Sequence, residues 1–256
     1  MSDVIDRDRY PSGQAELVAE LHERLARDGV CELPGFVRPR AVEEAVGEAA
    51  SLAGDWFATD EEHTVYFEPI DEDAPSGDPR GMRLRSSKKQ IAYDQIPESS
   101  PVRRLYEDEE TLRFVAGVLG LEELYRLDDP LAALGYAYME PGDTLAWHFD
   151  RSEFAVTLML QTAERGGAFQ YVPNVRSEAD ERPELVAAVL EERSDQVVSL
   201  HPQPGTLTLF RGRRSLHRVS PVEGGRVRVN AVLAYGHEPG MRLNELTQRL
   251  FYGRVA

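Results

Sequence analysis

The sequence predicts a mainly β protein, a two-sheet jelly roll or barrel flanked by helices. From residue 131 onward the chain breaks into short β-rich segments set off by Pro-Gly and Gly-Gly turns. Helical periodicity is clear only before residue 122 and in one later insert. Two histidine-bearing segments, around residues 148 and 217, carry chemistry that requires them to meet, and short strands curled into a closed sheet bring such segments together.

Taken in order, Leu17, Val18, Leu21 and Leu25 recur at helical spacing, predicting a helix over 12–26 that Asp28-Gly29 ends. Residues 30–35 read as a short strand and turn. A second helix spans 39–53, with proline in its first turn. Over 68–95 the pattern gives way to Pro, Gly, Asp and Ser, which predicts a long loop, and such loops in compact proteins are commonly lids. Leu112, Val115, Val118 and Leu119 mark a third helix over 107–121. Strands are predicted over 131–140, 145–149, 154–161, 168–172, 207–211 and 226–235, with an inserted helix over 183–193. The organisation is therefore a single domain over 1–256: a helical front part (1–125) with the lid-like loop 68–95, a jelly-roll core (126–236) and a C-terminal tail (237–256).

Composition narrows the function. A 41% hydrophobic fraction in 256 residues is enough for a sizeable core. No apolar run approaches the roughly 20 residues that span a bilayer, so no membrane partner is expected. The acidic N-terminus is unlike a signal peptide, which makes cytoplasmic residence the expectation. The lone Cys31 rules out an internal disulfide framework and any zinc site of several cysteines. A net charge of −16 disfavours a phosphate backbone, and no basic stretch is interleaved with aromatics. Nucleic acid is therefore not expected, and a small molecule is the favoured substrate. Exposed edge strands leave room for a homo-oligomer that nothing in the sequence demands.

His148-Phe149-Asp150 is the most informative motif. Strand side chains alternate with period two, so His148 and Asp150 point to one face and offer an imidazole and a carboxylate to one ion. His217 supplies a second imidazole. Two histidines and one carboxylate on one face of a metal, with the remaining positions open, form the ligand set of non-heme Fe(II) oxygenases. A 2-oxo acid can chelate two open positions and dioxygen can take the third, which equips the site to oxidise an unactivated C–H bond. The far carboxylate of the co-substrate needs a buried cation, and Arg226 and Arg228 follow His217 by nine and eleven positions. A lone His-x-Asp is common by chance; its conjunction with His217, a Gly-Gly turn and an arginine strand is not. His201 is a rival ligand, but Pro202 and a Pro-Gly turn place it in a loop. His22, His63 and His237 lack companion spacing and are assigned to surface or packing.

The segments Trp147-His-Phe-Asp-Arg-Ser-Glu-Phe154, Leu160-Gln161, Gly166-Gly-Ala-Phe-Gln-Tyr-Val-Pro173 and the stretch around His217 resemble the Fe(II)/2-oxoglutarate-dependent dioxygenases with a double-stranded β-helix (jelly-roll, cupin-like) core. The resemblance covers roughly residues 15–236, with specific motifs in 131–236. Within the superfamily the chain looks most like the free-amino-acid halogenases of the lysine-chlorinating type and their hydroxylating relatives. The resemblance implies Fe(II), 2-oxoglutarate and O2, with iron held by His148, Asp150 and His217. It implies that Arg226 clamps the distal carboxylate, with Arg228 its rival, and places Tyr138 against 2-oxoglutarate; aromatic packing inside a barrel accounts equally well for Tyr138 and for Tyr136, which shares its face. Asn230 would contact the substrate amino acid. Independently of the resemblance, a guanidinium suits a carboxylate, so Arg83 or Arg85 either pairs with that of the substrate or belongs to a solvated basic loop. Gln161 would line the site or the barrel mouth, and Trp147 would pack away from the ligands.

Halogenating members carry a small residue at the carboxylate position, leaving room for chloride. Asp150 fills that position, so hydroxylation is expected rather than halogenation. A lysine-type substrate also calls for an acidic residue just after the triad carboxylate. Arg151 stands there instead and directs the substrate expectation toward a different or more acidic amino acid. The expected function is thus hydroxylation of a small free amino acid or similar metabolite. One alternative is an oxygenase acting on protein or alkylated nucleic acid, against which the acidic charge and the lid-like loop speak. The other is a barrel that binds metal or ligand without turnover, against which the complete ligand set speaks.

Overall fold

A computed structural model describes residues 4–11 and 13–256, so the predicted first position of the opening helix, Ser12, lies outside the described residues. Helix α1 (Ala15–Asp28) buries Leu21 and Leu25 and stops at Gly29, which takes the left-handed conformation that caps helices. Strand β1 (Val30–Leu33) and helix α2 (Pro39–Leu52) follow as expected, with Pro39 in the first turn.

The next stretch departs from expectation. Strands β2 (Phe57–His63) and β3 (Leu84–Ile91) pair antiparallel, so the predicted loop 68–95 shrinks to the connection between them. Both strands are largely polar, and β2 is an exposed edge. Charge pairs such as Arg85–Asp60 span them, so no apolar alternation announces them in the sequence. The predicted helix 107–121 is α4 (Glu109–Leu119), and a short helix that was not predicted, α3 (Pro101–Glu107), precedes it. The chain is extended at Asp108, whose carboxylate accepts from the Thr111 backbone N–H and so starts α4.

Short strands then dominate: β4 (Tyr125–Arg126), β5 (Leu134–Met139), β6 (Leu145–His148), β7 (Ala155–Gln161), β8 (Arg165–Gly166) and β9 (Phe169–Val172). After the inserted helix α5 (Pro183–Leu190) come β10 (Val198–Leu200), β11 (Leu207–Phe210), β12 (Leu216–Val219), β13 (Val222–Glu223), β14 (Arg228–Leu233) and β15 (Tyr235–Gly236). β14 begins two residues later than predicted and leaves Arg226 outside it. The tail folds into helix α6 (Glu245–Tyr252). Among the described residues no helix is long and apolar enough to cross a membrane.

Two antiparallel sheets form the core: a larger one in the order β1-β11-β7-β14-β5-β3-β2 and a smaller one in the order β10-β9-β12-β6. This is the double-stranded β-helix arrangement. The outer face of the larger sheet carries Leu134, Tyr136, Tyr138, Val156, Leu158, Leu160, Val229 and Ala231, packed on Leu21, Leu25, Val115 and Val118 of the helices. Each fully buried Leu or Val among them contributes about 1.5–3 kcal/mol. Alternation sends the intervening residues inward, among them Lys88, Gln90, Ala137, Met159, Arg228 and Asn230. Phe210 of the larger sheet meets Phe169 and Tyr171 of the smaller at ring separations of 4.9 and 5.7 Å, joining the two inner faces. A second apolar cluster, including Val65, Tyr66, Trp147, Phe149, Val186 and Leu216, covers the back of the smaller sheet.

Candidate metal centre

The chain leaves β6 at His148, and the next two residues are pinned by backbone bonds rather than by the sheet. Phe149 N–H donates to Val65 O at 2.9 Å, and Asp150 N–H donates to Gly212 O at 3.0 Å. Phe149 enters the apolar cluster behind the smaller sheet, so His148 and Asp150 turn the other way, into the space between the sheets. On β12, His217 lies directly opposite His148 in register, with the rings 4.1 Å apart.

The three side chains converge. Nε2 of His148 and Nε2 of His217 each stand 3.5 Å from Oδ1 of Asp150, and one donor atom from each residue lies within 4.8 Å of the others. Metal bonds of about 2.1 Å at right angles separate neighbouring donors by about 3 Å, so the donor set fits one ion with little movement. Each imidazole is oriented from behind. His148 Nδ1–H donates to Ala146 O at 2.7 Å and His217 Nδ1–H to Ser215 O at 3.0 Å, which leaves both Nε2 lone pairs facing Asp150. Burial, then the neighbouring His217, pushes His148 down to about 4, so it is a neutral donor near pH 7. Burial alone would raise Asp150, but the two imidazoles outweigh it and keep the carboxylate ionised well below the usual range. Both histidines are almost fully buried, and Asp150 keeps a quarter of its side chain exposed.

Aromatic rings close the site. Phe210 and Phe169 pack on His217 at 4.7 and 5.7 Å, and Phe67, from the segment after β2, packs on His148 at 5.2 Å. His63 comes within 6.4 Å of His148, but one ring nitrogen meets Thr64 O and the other Ser86 Oγ, so it packs as expected. His201 and His237 are exposed, and His22 bonds Val118 O in the helical layer.

The structure discriminates among the other sequence candidates. Arg228 is 5% exposed on the inner face, with Nε donating to Gly167 O at 3.1 Å, and burial alone lowers its pKa to about 10. It has no carboxylate partner among the described residues. Arg226, the preferred clamp by motif spacing, is exposed outside the strand and donates to Thr162 O and Ala163 O at 2.7 and 3.0 Å. Arg226 therefore lies outside the space between the sheets, and Arg228 is the arginine of the pair that faces it. Tyr138 is also corrected. It lies opposite Val229 on the outer face and donates to Ala49 O at 2.8 Å, so it packs a helix; Tyr136 does likewise through Glu48. Arg83 and Arg85 are exposed and paired, Arg83 with Glu62 and Glu72 and Arg85 with Asp60, which keeps them out of the site. Arg151 sits at the rim and donates to Phe67 O at 2.9 Å. Asn230 does face inward, and its Oδ1 is buried without a partner. Gln161 is half-buried, with its amide spent on Val227 O, while Trp147 packs behind the smaller sheet beneath Arg218.

Two inward residues went unnoticed in the sequence, Lys88 and Gln90. One signal was available: Lys88 and Lys89 are the only lysines in the chain.

The comparisons agree with this architecture. The family model described as Halogenase D matches residues 13–250. No curated protein matches the chain. Among solved structures, the chain is similar to the non-heme alpha-ketoglutarate-dependent epimerase SnoN from nogalamycin biosynthesis, at 18% identity and a TM-score of 0.58 over 87% of this chain and 83% of that one. HygX from Streptomyces hygroscopicus, determined with nickel, 2-oxoglutarate and hygromycin B bound, shows 15% identity and a TM-score of 0.58 over 88% and 89%. A Pseudomonas putida prolyl-4-hydroxylase shows 18% identity and a TM-score of 0.51 over 84% and 96%. At these identities the likeness is one of fold.

Proposed function

Because the chain belongs to the halogenase D family yet carries a carboxylate among its metal ligands, we propose that it is an Fe(II)- and 2-oxoglutarate-dependent oxygenase that hydroxylates an unactivated C–H bond of a small free amino acid or similar metabolite. The observation that carries this reading is Asp150 itself. A halogenating site needs a ligand position free for halide, and here Asp150 Oδ1 lies 3.5 Å from both imidazoles and takes the third protein position.

Bound iron, with 2-oxoglutarate and dioxygen, supplies the oxidising chemistry, and the chain's residues hold, orient and shield. His148, His217 and Asp150 bind the metal as three fixed donors. The Ala146 and Ser215 carbonyls prevent either ring from turning. Arg228, already desolvated and without a carboxylate partner, pairs with the distal carboxylate of 2-oxoglutarate as a planar two-pronged donor. Phe210, Phe169 and Phe67 exclude water from the metal-facing space. Asn230 Oδ1 accepts from a polar hydrogen of the substrate.

The test is succinate release by anaerobically iron-loaded protein, with air admitted afterwards, across a panel of free L-amino acids in the presence of chloride. Mass spectrometry should find one added oxygen in the amino acid that couples to succinate. Asp150→Gly should abolish that product. A chlorinated product from the unaltered protein would overturn the hydroxylase reading, and an absence of both iron retention and succinate would overturn the enzyme reading.

A further inference from the structure

The inner face of the larger sheet leaves a second cation without a counter-ion. Gln90 lies opposite Ala137, which lies opposite Asn230, so a small side chain separates two amides across three adjacent strands. The amide oxygens Oε1 of Gln90 and Oδ1 of Asn230 are both buried without a hydrogen-bond partner. Two residues before Gln90, and so on the same face, Lys88 is half-buried with Nζ 5.2 Å over the ring of Phe251 from α6. Among the described residues its Nζ makes no hydrogen bond or ion pair. Burial lowers its pKa, and the opposing influence comes from Asp150. The contrast with its neighbour is sharp. Lys89 points to the opposite face and is held by Asp143 at 2.6 Å and Glu140 at 2.9 Å.

An ammonium drawn partly out of water with no partner is costly unless a ligand supplies the anion. Asp150 does not serve, because its charge is committed once it ligates a metal dication. Arg228 and 2-oxoglutarate do not serve either. With the metal and Arg228 answered by Asp150 and the 2-oxoglutarate dianion, Lys88 is the one positive group left without a counter-charge, and a substrate carboxylate would supply it. The two orphaned oxygens ask for the opposite partner, a donor of several hydrogens. An anion and an N–H donor side by side describe a zwitterion.

We propose that Lys88 binds the carboxylate of the substrate while Gln90 and Asn230 accept hydrogen bonds from its ammonium, so that the pocket selects free α-amino acids over their amides and amines. This rests on the amino-acid reading above and adds the residues that enforce it. All three touch the substrate directly, and the lost charge-assisted contact at Lys88 sets the expected discrimination at about 10- to 100-fold.

The test is a binding measurement on protein loaded with Ni(II) and 2-oxoglutarate, which does not turn over. Thermal shifts are titrated with free L-amino acids and then with the amide and the amine of each one that binds. The unaltered protein should prefer the acid by that factor. Lys88→Met and Lys88→Gln should bind acid and amide alike, Lys88→Arg should regain part of the preference, and Lys89→Met should keep it. Should Lys88→Met retain the preference, the assignment of Lys88 falls while the amino-acid reading stands. Weakened 2-oxoglutarate binding in place of weakened amino-acid binding would give Lys88 to the co-substrate and overturn the proposal. If 2-oxoglutarate binds and no amino acid does, the amino-acid reading falls and takes this proposal with it.

Discussion

Gly212 has no side chain because the Asp150 carboxylate fills the space one would need. A Cβ there would overlap both the carboxylate and its Cβ, while the Gly212 carbonyl holds the Asp150 backbone at 3.0 Å. Gly212→Ala is therefore expected to push Asp150 away from the imidazoles. Groups that orient metal ligands are each worth about 10- to 100-fold in metal affinity or activity, and a titration of Fe(II) or Co(II) should lose affinity by that factor. An unchanged affinity would mean that the segment 149–150 relaxes around the added methyl. The two arginines give a second residue-level contrast. Arg228→Met should raise KM for 2-oxoglutarate by about 100-fold through loss of a buried charged pair, whereas Arg226→Met should change it by less than about 2-fold. The reverse result would restore the motif-based preference. The spacing after His217 could not separate them, because both fall on one strand parity. Burial separates them, and burial depends on β14 starting at Arg228.

At the scale of elements, the front half depends on caps that local sequence shows only in hindsight. Asp108 ends α3, accepts from both Thr111 N–H and Thr111 Oγ at 2.8 Å, and pairs with Arg7 at 3.1 Å. Asp108→Ala should cost about 1–2 kcal/mol in a urea titration, the usual worth of an N-cap. The deficit should also depend on pH in one direction. Burial raises the Asp108 pKa, but the Thr111 and Arg7 contacts outweigh it, so the folded-state value is depressed. A depressed carboxylate stabilises the fold at pH values above its unfolded pKa of about 3.9 and loses that contribution as pH falls further. The deficit should thus be equal at pH 7 and pH 5 and shrink below about pH 4; a deficit that already fades at pH 5 would rule out this assignment. The jelly-roll strands were legible because their outer face is buried against the helices, which calls for an apolar residue at every second position. β2 and β3 were not, since the edge strand β2 with Asp60 and Glu61 and its neighbour β3 with Arg85 and Lys88 carry no such alternation. That omission hid the site's second cation, because a residue assigned to a loop has no face. The three candidate ligands were legible as a set for the opposite reason: metal-binding chemistry fixes both residue type and strand parity.

For the whole molecule, the site and its surroundings have opposite charge. The chain carries −16 overall, yet Arg228 and Lys88 line the interior beside a centre built to hold a dication. A 2-oxoglutarate dianion approaching from solution meets net repulsion first and attraction only inside the mouth. Screening acts mainly on the long-range part: the Debye length is about 30 Å at 0.01 M salt and about 8 Å at 0.15 M, while charges within a partly desolvated cavity are screened much less. Adding salt should then weaken the repulsion more than the final capture. kcat/KM for 2-oxoglutarate is expected to rise by a few-fold as a weakly coordinating potassium salt goes from 0.01 to 0.15 M, with kcat nearly constant, because encounter is affected and the chemical step is not. A neutral zwitterionic substrate feels little of the monopole field, so its kcat/KM should stay flat across the same series. Falling values for 2-oxoglutarate would show that the basic interior projects beyond the mouth and steers anions inward. A parallel rise for the amino acid would show that the substrate itself carries net negative charge, which is the direction in which Arg151, in place of an acidic residue, already points.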